Sequence, residues 1–179
     1  MKRSKITILL AIVLGMTFHS CLDLEPQDQL GGKNMWTSVN DYKQFANTFY
    51  SWTRDFSSVV YDGTHSDKRS DLITYQSYNE FSRGINSIPS SDANYTDNYK
   101  HIRRTNLLLQ NAEAYAKPED IKQYIGEAYF FRAYSYFDLL QLYGDVIITK
   151  KPLDITDPEM KVKRNDRSEV VDLIIDYLN

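Results

Sequence analysis

Cysteine occurs once in the 179 residues, at Cys21, so no disulfide can close within the chain. Long apolar runs are missing too. The longest spans Ile6 to Met16, broken by Thr7 and Gly15, and roughly eleven residues fall well short of the about twenty a transmembrane helix needs. Cations are not in excess: 21 Lys+Arg stand against 24 Asp+Glu, and no basic patch argues for nucleic acid or an anionic lipid surface. Asp62, His65, Asp67 and Asp71 are metal-ligand residue types, but they match neither EF-hand nor zinc spacing and read as a solvated acidic loop. Glu127 and Asp138 are no catalytic pair either. Eleven positions along one helix put them about 16 Å apart, whereas glycoside hydrolysis needs carboxylates about 5 to 10 Å apart. No metal, cofactor or covalent step is implied. What remains is 42% hydrophobic and 25% charged, an ordinary globular composition for one domain.

The first twenty residues form a unit of their own. Lys2, Arg3 and Lys5 precede the short apolar run, and Thr17-Phe18-His19-Ser20 leads into Cys21. This is the charged, apolar and cleavage sequence of a signal peptide over residues 1–20, to be excluded from fold reasoning. A small residue directly before cysteine resembles the lipobox of bacterial lipoproteins, which makes Cys21 a lipid attachment residue. A multiply acylated cysteine anchors stably, since each buried methylene contributes about 0.8 kcal/mol. Cleavage would take three cations from 21 and no acid, leaving 18 against 24, a net charge of −6. Residues 21–37 then read as a lipidated tether: LDLEPQDQLGGKN at 22–34 has no period and reaches at most about 45 Å when extended.

From residue 38 to 179 the pattern is helical. Ser38 with Asp41 three residues on makes a capping-box pair, and Tyr42, Phe45, Ala46, Phe49 and Trp52 follow at helical spacing as a core face. From Thr53 to Asp92 no period holds, and a connection this long and tyrosine-rich is a functional loop. A second helix is predicted from Asp92 to Tyr115, with Tyr95, Tyr99, Ile102, Asn106, Leu109 and Ala112 on one stripe. A third opens at Pro118 and ends at Gly144. Its first stripe is Ile121, Ile125, Ala128, Arg132, Ser135, Leu139 and Leu142; a second stripe of Tyr124, Phe131, Tyr134 and Phe137 predicts cover on two sides. An extended DVIITKKPLD segment follows. A fourth helix starts near Ser168 with Val170, Val171, Ile174, Ile175 and Leu178, and its apolar face reads as that of a fragment cut inside the helix at Asn179.

Within the third helix, Gly126 to Val146 reads GEAYFFRAYSYFDLLQLYGDV. This resembles the GEA-x-FLRA-x-x-YF-x-L-x-x-x-YGDVP signature of the SusD/RagB family of Bacteroidetes, with Ile147 where the family usually has proline. Tyr99-x-x-Ile102-x-x-x-Asn106-x-Leu108-Leu109 and Arg167-Ser168-x-x-Val171-x-x-x-Ile175-x-Tyr177-Leu178 resemble the flanking helices. The resemblance implies an all-α, tetratricopeptide-like superhelix with long decorating loops, of which residues 38–179 would be the amino-terminal part. It implies an outer-membrane, cell-surface lipoprotein that binds oligosaccharide or polysaccharide and hands it to a SusC-like TonB-dependent transporter, by binding and gating alone.

Sugar rings need flat apolar faces edged by amides and carboxylates. Tyr61, Tyr75, Tyr78 and Tyr95, with Asn98, are the glycan-binding candidates in or beside the long loop. Asn106, Glu127 and Arg132 read as structural buried polar residues. An unpaired buried charge is costly, so Arg132 is expected to form an ion pair with Glu127, Asp138 or a group outside this chain. A lipidated tetratricopeptide-like scaffold binding only protein, and a helical surface glycosidase, are the rival readings.

Overall fold

Ser38 stands in extended backbone and stops the chain from running helically into what precedes it. Its hydroxyl accepts from the Asp41 amide at 3.4 Å, and the Asp41 carboxylate accepts from the Ser38 amide at 2.8 Å. This reciprocal cap starts α1, Val39–Asn47, in the computed structural model, which describes residues 35–54, 83–85, 87–154 and 156–179. The helix tightens into a 3₁₀ turn, Thr48–Trp52, where the hydroxyls of Thr48, Ser51 and Thr53 each donate to the carbonyl three residues back. Such local bonds compete with the α-helical ladder. Tyr42, Phe45, Ala46 and Phe49 are buried, and the Tyr42 hydroxyl donates to the Asn111 carbonyl at 3.0 Å, fixing α1 on the next helix.

That helix, α2, spans Ala93–Glu113 and is capped by Asp92. One Asp92 oxygen accepts from the Asn94 amide at 2.9 Å and the other from the Tyr143 hydroxyl at 2.7 Å. The Tyr143 bond, with the amides, holds the carboxyl below its ordinary pKa. A 3₁₀ turn, Pro118–Ile121, leads into α3, Lys122–Tyr143, which ends where Gly144 takes φ +71°. A side chain at Gly144 would meet the Arg167 guanidinium at 2.8 Å, and the Arg167 amide donates to the Asp145 carboxylate at 3.0 Å. The extended segment is tied to the start of α4, Arg167–Leu178, by a single antiparallel bridge between Val146 and Asn165. Ile102, Tyr136, Leu139, Val146, Val170 and Leu173 form the core shared by α2, α3, the extended segment and α4.

Helix order and bounds follow the sequence pattern, with two differences. The second stripe of α3 is covered unevenly: Phe131 is buried against Phe49 and Trp52, while Phe137 is 45% exposed. Cover comes from the short α1 and its 3₁₀ turn, which do not reach the far end of a 22-residue helix. On α4 the buried residues are Val170 and Leu173, so the buried face is rotated from the stripe predicted, and Ile175 and Leu178 are more than half exposed. Residues 36–179 form one compact unit, and no described helix is long and apolar enough to cross a membrane.

Candidate ligand-binding groove

Tyr95, Tyr99 and Arg103 recur every four residues on α2 and so share one face. Facing them is the extended segment after Gly144, which has no period of its own and is held by buried and half-buried side chains from two helices. The Tyr99 hydroxyl accepts from the Ile147 amide and donates to the Ile147 carbonyl, both at 2.9 Å. From α3, the Tyr136 hydroxyl does the same for Thr149, accepting from its amide at 2.7 Å and donating to its carbonyl at 3.1 Å. Burial pushes both phenols above their ordinary pKa, so both remain donors. Asn106 completes the set, its amide nitrogen donating to the Thr149 and Lys151 carbonyls at 3.1 and 3.2 Å.

Between this pinned segment and α2 lies a groove of about 450 Å³, within the size range of small-ligand sites. Tyr95, Tyr99, Ile147, Leu153 and Met160 give it an apolar lining. Lys100, Arg103, Lys151 and Glu159 also line it. Lys100 pairs with Asp97 at 2.8 Å and Lys151 with Glu159 at 2.7 Å. Arg103 lies 3.7 Å from Asp154 and its Nε donates to the Leu153 carbonyl at 3.3 Å.

Of the glycan candidates, Tyr95 lines the groove, half-buried, with its ring 4.8 Å from Tyr99 and 5.2 Å from Tyr143. Asn98 is on another face of α2: it is buried and its amide donates to the Asn94 carbonyl at 2.8 Å, so the two are not brought together in the groove. Tyr61, Tyr75, Tyr78 and the lipid acceptor Cys21 lie outside the described residues.

Arg132 is 5% exposed and pairs with neither Glu127 nor Asp138, the two partners expected within this chain. Asp138 is engaged by Arg54, and Glu127, half-buried, accepts from Gln123 at 2.9 Å. Arg132 donates instead to the side-chain oxygen of Asn106 at 2.8 Å, and its guanidinium lies over the rings of Tyr177 at 3.9 Å and Tyr129 at 4.9 Å. A neutral amide and two π faces therefore stand where an ion pair was expected. Arg103, Leu153 and Met160 were not singled out in the sequence. The four-residue spacing from Tyr99 to Arg103 was the available signal, but only the aperiodic 147–160 stretch turns that spacing into a groove. Among the described residues no cluster of His, Cys, Asp and Glu could hold a metal.

Comparison with known proteins now bears on this geometry. The SusD-like family described as "starch-binding associating with outer membrane" matches residues 22–179. The chain belongs to this family. It is 27% identical to the SusD-like protein P38 of Formosa agariphila, over 97% of this chain and 36% of that protein. It also resembles the crystal structure of a SusD-like protein from Bacteroides fragilis, with a TM-score of 0.64 and 21% identity, over 85% of this chain and 30% of that one. The shared fold is the all-α, tetratricopeptide-like class. The chain thus spans about a third of the length of the relatives it matches.

Proposed function

We propose that the protein to which this chain belongs is a glycan-binding lipoprotein of the cell surface, anchored to the outer membrane through Cys21, that captures oligosaccharides and passes them to a SusC-like TonB-dependent transporter. The observation that carries the reading is the family match across residues 22–179, nearly the whole of the chain beyond the signal peptide. The physical requirements of sugar binding agree with it, since half-buried tyrosine rings beside a rigid groove offer the flat apolar faces that sugars stack on. The work done is recognition and hand-over, with no bond made or broken.

The test is binding of the intact protein to a panel of polysaccharides by affinity electrophoresis, with Tyr61, Tyr75, Tyr78 and Tyr95 replaced by alanine one at a time. A ring that stacks on sugar lowers affinity by roughly 1 to 3 kcal/mol and leaves melting nearly unchanged; a ring that packs in the core does the reverse. Absence of binding to every polysaccharide, together with capture of a protein partner, would replace this reading with the protein-binding scaffold. Co-purification with a transporter from detergent-solubilised outer membranes tests the partner.

A further inference from the structure

Apolar aromatic walls take a sugar face, but the rim of this groove carries a second piece of information. Three of its four charged side chains are cationic, Lys100, Arg103 and Lys151, in a chain whose net charge is negative. Lys100 and Lys151 are each occupied by a carboxylate at hydrogen-bond distance. Arg103 is not. Its Nε bond to the Leu153 carbonyl fixes the plane of the guanidinium, and Asp154 at 3.7 Å is beyond a hydrogen bond and 83% exposed. Its two terminal nitrogens therefore have no hydrogen-bond acceptor among the described residues, and they sit beside Tyr99, whose own hydroxyl is spent on Ile147 and can offer a ligand only its ring.

We propose that this groove takes an acidic sugar residue, with its ring face against Tyr95 and Tyr99 and its carboxylate on the Arg103 guanidinium. The fork of an arginine matches a planar carboxylate with two parallel N–H donors, which a lysine does not. The loose contact to Asp154 is the weak, exposed kind that such a ligand displaces at little cost. Lys100 and Lys151 add field at the rim without direct bonding. This assignment rests on the glycan-binding reading above and narrows its ligand to uronate-bearing glycans.

The experiment uses the intact protein with pectate, alginate and glucuronoxylan, each beside its carboxyl-reduced form, and with neutral and sulfated polysaccharides. At least one uronate polymer is expected to bind about tenfold or more tightly than its reduced form, since a charge-assisted bond is lost, and added salt should weaken it. Arg103→Gln should abolish that preference, Arg103→Lys should recover part of it through its charge although it lacks the Nε donor to Leu153, and neutral glycans should be indifferent to both. Melting of each variant separates lost binding from lost folding; if Arg103→Gln unfolds, the lysine variant decides. Equal binding of acid and reduced forms, tighter binding of the sulfated polymers, or an Arg103→Gln variant that keeps the preference overturns the assignment. Binding of neutral glycans with no acid preference leaves the glycan reading standing and removes this one, whereas no polysaccharide binding at all removes both.

Discussion

Asn106→Leu takes away both ends of one buried amide. The nitrogen end feeds the Thr149 and Lys151 carbonyls, and the oxygen end accepts from Arg132. Asn106 is only 1% exposed, so the Arg132 nitrogen is left buried without its acceptor, whereas the Thr149 carbonyl keeps the Tyr136 hydroxyl and Lys151 is open to water. A buried group left unpaired costs about 1 to 3 kcal/mol and each lost bond whose acceptor stays satisfied about 0.5 to 1 kcal/mol, so the total loss is about 2 to 5 kcal/mol. Arg132→Met should cost less, about 1 to 3 kcal/mol, because it orphans one amide oxygen and strands no carboxylate; breaking a buried ion pair would cost about 3 to 5 kcal/mol. The two residues touch, so a double-mutant cycle should return a coupling of about 1 to 2 kcal/mol. Urea unfolding of the intact protein gives the energies, and hydrogen exchange gives the location. The amides of Ile147 and Thr149, held by tyrosine hydroxyls on the same segment, should exchange faster in Asn106→Leu. A coupling near zero, or unchanged exchange at 147–149, would refute the claim that this amide joins α3 to the extended segment.

Gly144→Ala should destabilise by roughly 1 to 3 kcal/mol, since φ +71° is strained for any residue with a Cβ and the added methyl meets the Arg167 guanidinium; an unchanged melting temperature would refute this. His101, stacked on Trp52 at 4.0 Å, has its pKa lowered by burial to about 4 from 6.5. The unfolded state binds more protons in that window, so this contribution is present above pH 6.5 and is lost as pH falls toward 4. His101→Phe should flatten the stability profile over that range, and an undiminished slope would assign it to other groups. Radiolabelled palmitate should enter the wild-type protein and not Cys21→Ala; equal labelling of both would remove the lipid anchor.

Features closed by neighbours in the chain were legible. Ser38 and Asp41 are three residues apart, so their cap needs nothing from the rest of the fold, and the glycine after Tyr143 marks a helix end for steric reasons alone. The stripe of Tyr99, Ile102 and Asn106 likewise placed Asn106 inside. Partners set by the fold were not legible. For a buried arginine the residue types suggest an opposite charge, whereas the structure supplies an amide 26 positions earlier and the ring of Tyr177 from α4. The rotated buried face of α4 has the same origin: which of its apolar residues point inward depends on how the bridge between Val146 and Asn165 presents the helix to α3.

The segment after Gly144 shows why such dependence matters for binding. It has no helical period, pairs through a single backbone bridge among the described residues, and would be a poor wall for a ligand if left to itself. Buried Tyr136 and Asn106 and half-buried Tyr99, at fixed places on two helices, hold its backbone at Ile147, Thr149 and Lys151 through amide and carbonyl groups. Each of those bonds is made before any ligand arrives. Ordering costs that would otherwise fall on the binding step, about 0.5 to 1.5 kcal/mol for each immobilised side chain, are met during folding instead. The helices therefore do more than carry Tyr95 and Arg103: by fixing the facing strand of backbone, they set the width of the groove in which a sugar would have to fit.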